Sequence, residues 1–218
     1  MPDADWGARA LTAFDETLKA GGGTVVRSQR YAQGSIDQSK AIADLMGVSA
    51  SEDRHQALTT VLGKKSEFEP QRRADIDLIF LGARAQDARL LIPQLRFNRA
   101  GDLPVYTTAL VYDGKPTSDL NGLRFCDAPW VIGQSDALTA QRAAAAGLSN
   151  ATPRLFALGR DAYALASGLQ RGSLRVGDTV DGASGRLEWR GSSVIGRSLD
   201  CVQISGDSLR SLAVPTTP

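Results

Sequence analysis

The chain has 218 residues but only one histidine and two cysteines, and no apolar run approaches the roughly 18 residues needed to cross a bilayer. Each scarcity excludes a class of function. His55 stands beside Arg54 and Gln56 with no second His or Cys near it, and neither His-Glu-x-x-His nor Cys-x-x-Cys occurs. It therefore reads as a surface helix residue, and no metal or cofactor is expected. Gly-x-Ser-x-Gly is absent, and so is Ser-x-x-Lys, which supplies the nucleophile of penicillin-binding enzymes. Aromatic residues make up 6% and are scattered, so no base-stacking platform forms. The net charge of +1 creates no field for nucleic acid or an anionic membrane. Two cysteines, Cys126 and Cys201, make neither a disulfide framework nor a zinc site alone. Two buried thiols is the simpler reading, and a single disulfide in an oxidising compartment is the alternative. The opening Met-Pro-Asp-Ala-Asp-Trp lacks the basic and apolar regions of a signal peptide. As written, the chain is expected to be soluble and without an export address, either as a piece of a longer protein or as a cytoplasmic one.

What is present has a clear order. Asp3 or Asp5 can cap a helix in which Trp6, Ala10, Phe14 and Leu18 recur at four-residue spacing, and Gly21, Gly22 and Gly23 end it. Residues 24–31 read as a short strand. Two helices follow, one running to Met46 and stopped by Gly47, the other stopped by Gly63. The continuous apolar run from Leu78 to Ala83 lacks alternation, which marks a strand buried on both faces, as in a parallel sheet. Ile79 and Phe80 are expected to be buried. A helix through Leu91 and Leu95 comes next, then strands over 105–109 and 123–126. This alternation predicts a doubly wound α/β sheet. The last third changes character. Helices are expected over 135–146 and 152–169, then strands over 185–189 and 198–205 with Gly191-Ser192-Ser193 as the hairpin between them.

Other motifs have plain structural readings. Gly63-Lys64-Lys65-Ser66 lacks the earlier glycine of a phosphate loop and follows a helix. Gly21–Gly23 close a helix, whereas a dinucleotide fingerprint opens one. Asp75 and Asp77 stand beside Arg72 and Arg73, and a local ion-pair cluster that also draws on Glu69 is expected.

Several segments together resemble one family. Phe68-Glu69-Pro70-Gln71-Arg72-Arg73-Ala74-Asp75-Ile76-Asp77 leads into the apolar strand. Pro93-Gln94-Leu95, Asp102-Leu103-Pro104-Val105-Tyr106, Asp119-Leu120-Asn121-Gly122 and Asp127-Ala128-Pro129-Trp130 follow. Leu155-Phe156-Ala157-Leu158-Gly159-Arg160-Asp161-Ala162-Tyr163 and Gly185-Arg186-Leu187 complete the series. In this collinear order they resemble the C-terminal part of the LpoA (LppC) family of penicillin-binding-protein activator lipoproteins. The resemblance covers nearly the whole chain.

The resemblance implies a type 1 periplasmic-binding-protein-like fold, mainly its second lobe, with a C-terminal β-hairpin. The implied organisation is a second-lobe α/β domain over 1–134, a helical segment crossing to the first lobe over 135–172, a hairpin returning to the second lobe over 173–213, and a tail over 214–218. The implied function is non-catalytic: binding and activating a class A bifunctional penicillin-binding protein in the periplasm, from a longer protein anchored to the outer membrane. No nucleic-acid partner and no small-molecule ligand are expected. The competing reading is a periplasmic amino-acid or amide receptor of an ABC transporter, since a fold does not fix a function. Its cleft edge would use Tyr106, Thr107, Thr108 and Trp130, which as plainly could be core or rim packing. The resemblance also implies a strand ahead of the helix near Trp6, in the middle of the sheet. About four residues precede that helix, too few to form one. The strands expected at 24–31 and 78–83 would lack a neighbour between them, and self-association is expected.

Overall fold

The computed structural model describes residues 1–64, 66–149 and 152–212. Lys65 and the tail Val214–Pro218 lie outside them. The chain divides into two compact units, Met1–Arg124 and Phe125–Pro218.

The first unit is α/β. Helix α1 (Asp5–Ala20) begins after Ala4, without a side-chain cap. Asp3 pairs with Arg30 instead. Gly7 has to be glycine, because a β-carbon there would run into the carbonyl oxygen of Pro2. Helices α2 (Ser39–Met46) and α3 (Val48–Leu62) are separated by Gly47 at φ 76°, where the left-handed backbone stops one helix and turns into the next. Strand β1 (Ile79–Leu81), helix α4 (Ala85–Leu95), strand β2 (Val105–Thr107) and strand β3 (Leu123–Asp127) follow. β1 pairs with β2, and β2 with β3, both in parallel, with Ile79 opposite Val105 and Tyr106 opposite Arg124. Met46, Leu91, Leu95, Val111, Leu120 and Leu123 are buried around this sheet. The parallel strands and the helices between them are those that the apolar run at 78–83 predicts.

Two expectations fail at the same place. Residues 24–31 form no strand; the segment is extended, and Tyr31 alone makes a bridge, parallel to Pro2. Ile79 and Phe80 are half-buried rather than buried. The cause is a cavity of about 400 Å³, lined among others by Phe14, Val25, Ile42 and Phe80, that opens beside β1. Without a strand in it, residues 24–30 have no ladder to join, and β1 has no cover on that side.

The second unit contains the end of β3, the short helix α5 (Pro129–Ile132), α6 (Asp136–Ala144), α7 (Ala146–Ser149) and the long α8 (Pro153–Gln170). The Ser135 hydroxyl caps α6 by accepting from Leu138 N–H. Five strands complete the unit: β4 (Thr179–Asp181), β5 (Arg186–Trp189), β6 (Ile195–Ser198), β7 (Asp200–Ser205) and β8 (Ser208–Ser211). β4, β5 and β6 form an antiparallel sheet, with Leu187 between Val180 and Arg197. β7 and β8 form an antiparallel hairpin, Ile204 opposite Leu209, and β7 lies beside β3 at the far end of the sheet order β1-β2-β3-β7-β8. The hairpin partner of β5 across Gly191 is therefore β6, not the strand at 198–205. The chain turns at Leu199 and uses that later strand elsewhere. Cys126 on β3 and Cys201 on β7 form a disulfide, which overturns the reading of two free thiols. Among the described residues, no helix is long and apolar enough to cross a membrane.

Candidate functional site

The C-terminal ends of the parallel strands are where an α/β sheet offers a ligand its polar groups. In the first unit that end carries Tyr106, Thr107 and Thr108. Tyr106 is half-exposed, and its hydroxyl accepts a hydrogen bond of 3.0 Å from the Arg124 guanidinium on the neighbouring strand. The same guanidinium lies 5.4 Å from the centre of the Tyr106 ring. The register of β2 against β3 sets this pair directly opposite one another. Thr107 is buried, and its hydroxyl donates to the Thr108 carbonyl at 3.4 Å. The Thr108 hydroxyl and Arg124 Nε are buried without a hydrogen-bond partner. The three residues form one polar strand end, with no carboxylate among them.

Trp130 belongs to the second unit and is 2% exposed. It packs with Ala157 and Ala183, with Phe156 and Leu138 around them. Its backbone N–H donates to the Ala183 carbonyl at 2.9 Å, and Arg160 lies over its ring at 5.4 Å. Arg142 donates to the Trp130 and Gly133 carbonyls at 3.0 and 2.8 Å, fixing the short helix that carries the tryptophan. The structure therefore places Trp130 in core packing.

Three aspartates to which no sequence motif assigns a role are buried: Asp87, which accepts from Gly34 N–H at 3.0 Å, and Asp127 and Asp161 in the second unit. Asp161 on α8 accepts from Ala183 N–H at 2.8 Å, from Ser184 N–H at 2.6 Å and from the Ser184 hydroxyl at 2.6 Å. Gly182 lies so close to this carboxylate that a β-carbon there would collide with it. Asp127 accepts both ends of the Arg154 guanidinium, with contacts of 2.6 to 3.0 Å, and its own side chain is 4% exposed. A signal for Asp161 existed: Ala157, Asp161 and Gly168 fall on the one buried face of α8. An aspartate there needs donors, and here they come from a loop more than 20 residues away.

The remaining charged candidates are structural too. Arg73 makes a bidentate pair with Asp75 at 2.6 and 2.7 Å, as expected. That pair holds the Asp75 carboxyl below its ordinary range and raises Arg73. Arg72 reaches instead to Asp102 at 2.6 Å, and Glu69 to Arg99 at 2.6 Å. His55 is half-buried, with its ring stacked 4.1 Å from that of Phe68. Among the described residues, no three His, Cys, Asp or Glu side chains gather as metal ligands would.

Comparison with known proteins adds the following. The family model described as "LppC putative lipoprotein" matches residues 1–205. A penicillin-binding protein activator LpoA of Vibrio antiquarius is 27% identical over 203 residues, which is 91% of this chain and 34% of that protein. The chain thus spans about a third of the length of the curated relative. The LpoA (YraM) C-domain of Haemophilus influenzae, described as a regulator of PBP1A, superposes with a TM-score of 0.59 at 15% identity, covering 98% of this chain and 60% of that one. A "putative branched-chain amino acid ABC transporter" protein of Rhodospirillum rubrum superposes at 0.65 and 22% identity, covering 97% and 58%. At these identities the two structures speak to the fold, which is periplasmic-binding-protein-like.

Proposed function

Because the chain belongs to the LppC lipoprotein family, we propose that it is part of a non-catalytic activator of a penicillin-binding protein. The partner is a class A bifunctional peptidoglycan synthase. The place is the periplasm, where the longer protein is held by a lipid anchor in the outer membrane. The observation that carries this reading is the family match over residues 1–205. Two features of the molecule support it. The disulfide between Cys126 and Cys201 suits an oxidising compartment such as the bacterial periplasm. The buried carboxylates Asp127 and Asp161 are held by donors of the fold itself, an arrangement that suits a structural role.

Such an activator works through a protein surface, with a few aromatic or arginine anchors at the centre of the contact. At the polar strand end of Tyr106, Thr107 and Thr108 the neighbouring Arg124 guanidinium is engaged by the Tyr106 hydroxyl and ring, and the three residues themselves offer no carboxylate to hold the ammonium of an amino acid. Two measurements test the reading together. A class A synthase immobilised on a sensor should retain the longer protein that contains this chain. Calorimetry of the chain with branched-chain and polar amino acids should show no binding heat. Micromolar binding of any one amino acid would overturn the activator reading in favour of a solute receptor, and so would failure of the longer protein to bind the synthase.

A further inference from the structure

The first unit carries a second hollow, where α2 meets α3, open to solvent and about 360 Å³ in volume. Four guanidinium groups line it: Arg27 from the extended segment 24–30, Arg54 from α3, and Arg72 and Arg73 from the segment that leads into β1. Gly47 and Ala50 also line it and carry no side chain long enough to fill the space. Asp75 is the one carboxylate among the described lining residues. Like charges around one hollow repel each other, so the supply of counter-charge decides what the hollow attracts.

The fold brings two of the four to the hollow through local anchors. The Phe68 ring stacks on His55 with centres 4.1 Å apart, Gln71 N–H donates to the Ser51 hydroxyl at 3.2 Å, and Arg73 N–H donates to the Met46 carbonyl at 2.9 Å. These contacts lay residues 68–73 along the α2–α3 junction. Arg72 and Arg73 then each have one carboxylate partner, Asp102 and Asp75 respectively. A guanidinium has five N–H donors in a fixed fork. Arg73 reaches Asp75 through Nε and Nη2, so its Nη1 side stays available. Arg27 and Arg54 are exposed and, among the described residues, have no carboxylate partner. Four guanidinium groups against two carboxylates leave an excess of two positive charges at one place. The chain's net charge of +1 hides this, because the excess is local.

We propose that this hollow binds a phosphate monoester, held by Arg27 and Arg54 and oriented by Arg72 and Arg73. Such a group carries a charge of about −1.5 to −2 at neutral pH and three strong acceptor oxygens. Its charge matches the local excess, and planar guanidinium forks bond its oxygens in pairs. A lone carboxylate would leave one positive charge without a partner and has too few oxygens for four guanidinium groups. The organic part of the ester stays outside, since the hollow is open and Ala50 is the one apolar side chain among its described lining residues. A soluble ester and a lipid headgroup present the same phosphate, and the test separates them. This inference is independent of the proposed function.

The full chain is titrated by calorimetry in low-salt buffer with glycerol 3-phosphate and, separately, with acetate. It is also sedimented with phosphatidylcholine vesicles, plain or containing phosphatidic acid, whose headgroup is a phosphate monoester. Two double variants are run beside it: Arg27→Gln with Arg54→Gln, and, as a control that removes the same charge from the second unit, Arg197→Gln with Arg210→Gln. Glycerol 3-phosphate should bind about tenfold or more tightly than acetate. The Arg27/Arg54 variant should lose about tenfold or more in affinity, since a charge-assisted contact is worth at least that factor. The control should bind as the unaltered chain does. All four arginines are exposed, so thermal melting should find both variants folded; if the first melts early, Arg54→Gln alone supplies the comparison. Retention on phosphatidic acid vesicles that the Arg27/Arg54 variant loses would identify a lipid headgroup as the source, and binding of glycerol 3-phosphate alone a soluble ester. Binding in neither arm, acetate as tight as the ester, or equal loss in the two variants would overturn the inference.

Discussion

In the second unit, the end of β3 is tied to β7 by the Cys126–Cys201 disulfide, and each strand beyond it has a hydrogen-bonded neighbour. Its buried aspartates are saturated by donors of their own unit. In the first unit, the strand with the strongest apolar signal ends its sheet at a cavity, and the segment across from it stays irregular. The contrast shows that strand formation is a property of pairs. Residues 24–30 have ordinary strand composition, and Phe80 has a core residue's side chain. Neither reaches its expected state, because a cavity lined by both lies between them. Phe80 instead stacks on Phe14, ring centres 4.2 Å apart, and remains half-buried.

The largest effect should come from loosening the closed unit. Cys201→Ser, or reduction of the disulfide, frees residues 75 apart in sequence. Loop closure of that length is worth about 4 kcal/mol. Guanidinium unfolding with and without reductant measures it, and an unchanged midpoint would show that the second unit does not depend on the bond. Asp161→Ala should follow. It strands two buried N–H groups and the Ser184 hydroxyl. The expected cost is about 3 kcal/mol, read as a lowered Tm in reductant-free buffer.

In the open unit the expected effects are smaller. The Met1 ammonium has its pKa lowered from 8.0 to about 6, chiefly by burial and secondarily by Arg30. Between those values the unfolded chain holds more protons than the folded one, so stability should rise as pH increases from 6 to 8 and then level off. Below pH 6 both states are protonated and the full penalty applies. The gain is bounded by about 3 kcal/mol, and acetylating the amine should flatten the slope. The smallest effect is expected of Arg72→Ala, whose partner Asp102 is exposed. Pairs of this kind contribute about 0–1 kcal/mol. A larger loss in urea melts would mean that this cluster holds the entry to β1 more firmly than the ion pair alone implies.

The same contrast separates what was legible in the sequence from what was not. Periodicity and glycine stops located α1 to α4, and the unbroken apolar run at 78–83 predicted a parallel sheet, because those signals are local. Pairing is not local. Gly191-Ser192-Ser193 correctly marked a turn, yet the partner of β5 came from residues 195–198, and the strand at 200–205 went to another hairpin. Trp130 followed a strand, so a cleft edge and core or rim packing both stayed open for it. Pro129 starts a helix there, and the ring packs beside Ala157 and Ala183. Asp161 sat in a segment legible as a helix but not as a buried carboxylate, since the three donors that explain it lie at Ala183 and Ser184. Spacing of Cys126 and Cys201 could not choose between thiols and a bond.

Native-state hydrogen exchange on the unmodified chain compares the two regions in one experiment. Among the described residues, β1 has one neighbouring strand while β7 has two. The Phe80 amide, turned to the cavity, should exchange at least about 100-fold faster than the slowest amide of β7, because only the latter requires the unit to open. Equal protection at Phe80 and in β7 would contradict the account, since it would mean that the cavity edge is already closed by a partner in solution.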